Sequence, residues 1–103
     1  MAVARNCETE WQYFQIDKPA PGKVISHLAG SCRYNIAAST IVVTTTGDTI
    51  RVLEFCTKAK FKESDSVLIT PVSPLPVSKR SVININFDCK VKRTAYASIT
   101  KVK

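Results

Sequence analysis

The sequence predicts an all-β fold: one domain over residues 1–103, a sandwich or small, partly open barrel of about seven or eight short, mainly antiparallel strands. Three observations predict it. Apolar residues recur at every second position, the period of a strand with one buried face, and helical spacing is scarce. Gly, Pro, Asp and Ser punctuate the chain at short intervals. The chain is 45% hydrophobic and 22% charged, an ordinary balance for a globular domain, and 103 residues can bury one core.

Trp11 to Ile16 reads as an aromatic strand, with Trp11 and Tyr13 on one face and Phe14 and Ile16 on the other. So many bulky neighbours need burial on both faces or a partner-facing patch; burial in the core is the expectation. Asp17 to Gly22 is expected to be a turn, because Pro19 and Pro21 cannot extend a ladder. Lys23 to Leu28 forms the next strand, closed by Gly30 and Ser31. Cys32, Tyr34, Ile36 and Ala38 then alternate with Arg33, Asn35 and Ala37.

Thr40–Thr46 and Thr49–Phe55 flank Gly47-Asp48, which predicts a hairpin with a two-residue type I′ or II′ turn. Thr57, Ala59 and Phe61 alternate with Lys58, Lys60 and Lys62, so the lysines share a face if this segment is extended. Val67-Leu68-Ile69 is a short buried run. Pro71 to Pro76 is an extended, polyproline-like connection, and its P-x-x-P pattern reads as a loop. Ser81 to Val91 has the strongest strand pattern: Ile83, Ile85, Phe87, Cys89 and Val91 inward, and Asn84, Asn86, Asp88, Lys90 and Lys92 outward. Thr94 to Val102 is the final strand. Lys23-Val24-Ile25 and Phe61–Ile69 resemble pieces of small barrels of the OB or SH3-like kind; the likeness extends no further and assigns no family.

The cysteines, Cys7, Cys32, Cys56 and Cys89, are separated by 24, 23 and 32 residues. No C-x-x-C pair exists and His27 is the lone histidine, so no metal site and no cofactor is expected. An even count at wide spacing fits two disulfides, with Cys7–Cys32 and Cys56–Cys89 the favoured pairing; each would contribute about 3–4 kcal/mol. The alternative is four reduced, buried thiols. Disulfides would place the protein outside the cytoplasm, secreted, periplasmic or on a virion surface; reduced thiols would place it in the cytoplasm. No intact signal peptide is read, although Ala2-Val3-Ala4 resembles the end of a cleaved one, and no apolar run is long enough to span a membrane.

The net charge of +7 lies entirely in the second half: residues 1–55 sum to zero and residues 56–103 carry all of it. Lys58, Lys60, Lys62, Lys79, Arg80, Lys90, Lys92 and Arg93 are therefore the candidates for binding a partner or a polyanion, joined by Trp11 and Tyr13 from the aromatic N-terminal strand. The competing reading of such lysines is protection of a strand edge against association. Catalysis is not expected. His27 is the only available imidazole base, Gly30-Ser31-Cys32 lacks the second glycine of a nucleophile elbow, Glu8 and Glu10 read as a solvated pair, and three glycines leave little for cradling phosphate. The expected function is a non-enzymatic binding or structural module. It would engage a protein partner, or a second copy, in a larger assembly through its basic half and aromatic strand. The alternative is a cytoplasmic OB- or SH3-like barrel that binds nucleic acid or another polyanion; a single-strand binder also needs exposed aromatics, and of those outside the expected core, Trp11, Tyr13, Phe14, Tyr34 and Tyr96, only Tyr96 lies within the basic half.

Overall fold

The computed structural model describes residues 12–33, 37–54, 57–72 and 90–102, and these form six strands and no helix. They are β1 (Gln12–Tyr13), β2 (Ala20–Leu28), β3 (Ala38–Thr44), β4 (Thr49–Glu54), β5 (Ser66–Pro71) and β6 (Arg93–Lys101). The sheet runs β1-β6-β4-β3-β2-β5, and an additional β5–β6 pairing closes β2 to β6 into a five-stranded barrel. The fold is thus all-β, and of the two expected architectures, sandwich or small barrel, it is the barrel, closed by the β5–β6 pairing. Pairing is antiparallel except for β4–β6 and β1–β6, which are parallel. Counted from β2, the barrel order is first-second-third-fifth-fourth-first, with the first strand shared between the second and fourth. That is the Greek-key arrangement of an OB-type barrel.

The barrel is filled from every wall. Val24, Val42, Ile50, Val52, Val67, Ile69, Ala95, Ala97 and Ile99 form one buried cluster, with Ile16 and Phe61 at its margins and Phe14 packed against it. Alternation puts these on the inner face, as the sequence periodicity requires. Phe61 reaches the core from a loop. Residues 57–62, expected to alternate as an extended lysine-bearing strand, join no ladder. Their backbone is held instead by a turn in which Ser64, in the left-handed region at φ 76°, donates to the Val24 carbonyl at 2.7 Å while Val24 donates to Asp65 at 2.9 Å.

Two turns differ from expectation. Residues 20–22, expected in a turn, open β2: Gly22 pairs with Thr44 of β3 and with Val67 of β5. Pro21 loses no ladder donor it can supply, and its carbonyl accepts from Thr45 at 3.1 Å. Gly22 is required there. A Cβ at this position would sit 2.5 Å from Val42 Cγ1 and 2.7 Å from the Val43 carbonyl oxygen. The β3–β4 hairpin does not turn on Gly47-Asp48 alone. Gly47 donates to the Thr44 carbonyl at 2.9 Å and Thr44 donates to that of Asp48 at 2.8 Å, with Gly47 at φ 94°. Thr45 and Thr46 therefore make the bend and Gly47 supplies the left-handed bulge that follows it.

Strand β1 is shorter than the predicted 11–16 segment. Tyr13 is 46% exposed rather than in the core, whereas Ile16 is buried. Cys32 is exposed in a turn, and β3 begins at Ala38; residues 34–36, within the alternation expected over 32–38, lie outside the described set, as do Cys7, Cys56 and Cys89 with their pairing. Most of the predicted strand 81–91 also lies outside it, and residues 90–92 are a turn and extended chain leading into β6 rather than part of a strand.

Candidate functional site

Parallel pairing of β1 with β6 sets Gln12 beside Arg93 and Tyr13 beside Thr94. The backbone contact extends on either side: Gln12 donates to the Lys92 carbonyl at 2.7 Å and Phe14 to that of Thr94 at 3.0 Å. Thr94 and Tyr96 have the outward phase of β6, opposite to Ala95 and Ala97, so Tyr13 and Tyr96 meet on the outer wall. Their rings stack at 5.7 Å between centroids and 10° between planes. Exposed Lys92 sits at the start of this ladder, with exposed Lys90 two residues before it. The aromatic N-terminal segment and part of the basic C-terminal half, far apart in sequence, thus form one wall.

Oligonucleotide-binding barrels of this topology commonly use the outer face of the second and third barrel strands. Here those strands are β3 and β4, and that face is buried. Ser39, Ile41, Arg51 and Leu53, in the opposite phase to Val42 and Val52, are each less than a tenth exposed. Arg51 reaches under the chain that enters β6 and donates from Nη1 to the Val91 carbonyl. Exposed Tyr13 and Lys92 lie instead on the β1–β6 side.

Phe14 and Arg93 have the inward phase at the end of the barrel. The Arg93 guanidinium lies over the Phe14 ring at 4.8 Å from its centroid. Half of the Arg93 side chain is exposed, and it approaches Asp48 at 3.6 Å. These residues border a cleft of about 430 Å³ between segment 14–21 and the β3–β4 turn, floored by Phe14, Ile16 and Ile50. Its rim is a linked polar set. Thr44 and Thr46 hydroxyls are 2.9 Å apart, Thr46 Oγ1 donates to Asp48 Oδ2 at 3.1 Å, and the Asp48 amide donates to Thr44 Oγ1 at 3.2 Å.

His27, the one imidazole, is a packing element at the other end. A bulge between Val24 and Ser26 exposes Ile25 and returns His27 to the inner phase, opposite Thr40. Its Nδ1 is 2.8 Å from Thr40 Oγ1, and its ring meets Phe61 edge to face at 5.4 Å. Nε2 is buried and has no hydrogen-bond partner among the described residues. Burial, and then the nearby Lys60 charge, hold the imidazole below its ordinary pKa of 6.5. Glu54 closes the seam where β4 leaves β6. Its carboxylate accepts from Ser98 Oγ at 3.2 Å, from Thr57 and from the Ile99 amide, while burial outweighs these bonds and raises its pKa. Among the described residues, no three His, Cys, Asp or Glu side chains gather as a metal site.

The remaining predicted residues fall in separate places. Lys58, Lys60 and Lys62 are exposed on the loop before β5, with Lys60 near His27. Trp11, Lys79 and Arg80 lie outside the described residues. Sequence reasoning placed Tyr13, Lys90, Lys92 and Arg93 among candidates but omitted Tyr96, Phe14, Thr46 and Asp48. Tyr96 carried a signal, as the one aromatic of the basic half outside the expected core; Thr46 and Asp48 read only as turn residues. No protein family, curated protein or solved structure matches the chain.

Proposed function

We propose that the protein is a non-catalytic binding barrel whose β1–β6 wall takes an anionic polymer, single-stranded nucleic acid being the polymer whose chemistry fits best. The observation that carries this reading is the stack of exposed Tyr13 on half-buried Tyr96, with exposed Lys92 at the start of the same β1–β6 ladder. Bases stack on aromatic faces regardless of sequence, and lysines neutralise the phosphates between them. The reading replaces the expected preference for a protein partner because the aromatic and basic features, separate in sequence, adjoin in the barrel.

The test is fluorescence anisotropy with a labelled oligothymidylate in a salt series. Log affinity should fall linearly with log salt, by roughly 0.7 per phosphate neutralised. Tyr13→Ala should weaken binding roughly 5- to 150-fold, the equivalent of about 1–3 kcal/mol per stacked base. Absence of binding at about 50 mM salt, or binding unchanged in Tyr13→Ala and Lys92→Glu, overturns it.

A protein partner is the second reading, favoured by β1. Among the described strands this two-residue strand ends the sheet order and pairs with β6, the edge position to which a partner strand can add. Its signature would be a salt-insensitive complex or self-association seen by sedimentation. Two disulfides, and with them an extracytoplasmic location, remain part of this proposal.

A further inference from the structure

The geometry points to a nucleotide subsite in the cleft at the barrel end, selective for a base bearing an exocyclic amino group. This rests on the nucleic-acid reading of the β1–β6 wall and extends it around the strand. Tyr13 and Phe14 are consecutive and point to opposite sides, so a chain lying on the tyrosines reaches the cleft over Arg93.

Each part of a nucleotide has a counterpart there. The Arg93 guanidinium is already parked on Phe14, and its exposed half is a flat cationic shelf on which a base can stack. The rim beyond that shelf is rich in acceptors. Asp48 Oδ2 takes one hydrogen bond from Thr46 and Oδ1 faces Arg93 at 3.6 Å, which leaves lone pairs on both oxygens. A carboxylate in this position accepts from the amino group of cytosine or adenine and has nothing to accept from at the corresponding oxygen of uracil or thymine. Lys18, exposed on the near wall, stands where it can meet the phosphate. A volume of about 430 Å³ is within the range of small-ligand sites, and the apolar floor of Ile16 and Ile50 is their usual lining. Lys58, Lys60 and Lys62 have no part in this path.

The experiment uses the intact protein and two mononucleotides, cytidine 5′-monophosphate and uridine 5′-monophosphate, followed by amide chemical shifts, with oligothymidylate as an independent probe of the wall. Cytidine monophosphate should give saturable shifts centred on residues 44–48 and Arg93, with uridine monophosphate several-fold weaker. Thr46→Trp, an exposed turn position, should fill the cleft and weaken cytidine monophosphate at least tenfold. Asp48→Asn should level the two nucleotides. No saturable shift at millimolar nucleotide, or equal affinity in Thr46→Trp, overturns the subsite even if oligothymidylate still binds the wall. Conversely, cytidine monophosphate binding that Thr46→Trp abolishes supports the subsite, and the failure of oligothymidylate binding alongside it would overturn the wall reading alone.

Discussion

Replacing Gly22 by alanine should cost about 2–3 kcal/mol, the upper part of the range for forcing an extra methyl into a packed site. The magnitude follows from two approaches. The new Cβ would lie 2.5 Å from Val42 Cγ1 and 2.7 Å from the Val43 carbonyl oxygen. The first contact could be relieved by the valine side chain, which is fully buried and has little room to turn. The second involves backbone within the β2–β3 ladder and requires the strands to separate. Gly22 also pairs with Val67, so β2 cannot shift away from β3 without straining its pairing with β5. For a domain of this size the loss corresponds to a fall in Tm of roughly 8–20 °C. Thermal unfolding followed by circular dichroism, with urea titration for the free energy, measures it. Val42→Ala alone should be destabilising through its cavity, and the double variant should lose less than the sum by about 1 kcal/mol, because the side-chain clash is gone. A Tm within a degree or so of the parent for Gly22→Ala would refute the claim that this glycine permits the shared pairing.

Two further outcomes test the remaining structure. His27 is held neutral by burial and by Lys60, so its folded pKa lies below 6.5. The unfolded chain then binds the proton more readily, and the stability His27 contributes is full above pH 6.5 and lost as pH falls through the depressed folded value. His27→Gln should flatten that part of the stability profile; an unchanged slope between about pH 7 and 5 would exclude His27 as its source. Intact mass with alkylation, before and after reduction, should show four cysteines protected until reduction if two disulfides form, and four alkylated thiols beforehand would refute them.

Much of the fold is legible in the residues. The period-two placement of Val24, Val42, Ile50, Val52, Val67 and Ile69 gives strands whose inner faces form the core. The errors lie where local chemistry and barrel closure compete. Pro21 and Gly22 signal a turn on their own, yet the tight crossing of β2 between β3 and β5 needs a residue without a side chain. Phe61 sits in an alternating segment that reads as a strand, yet its ring is drawn into the open end of the barrel and the chain around it forms a loop. Gly47 signals a hairpin correctly, but the side of the bend it occupies depends on the hydrogen bonds of Thr44 and Asp48.

By itself the sequence determined the strand period, the apolar core and a positive charge confined to the second half, since each depends only on residue type and spacing. The tertiary structure decided which features touch. The parallel pairing of β1 with β6 brings Tyr13 onto Tyr96 beside Lys92, while Lys58, Lys60 and Lys62 lie on the loop before β5 and join no strand. Strand order and handed closure are properties of the whole chain, and no local pattern encodes which strands become neighbours.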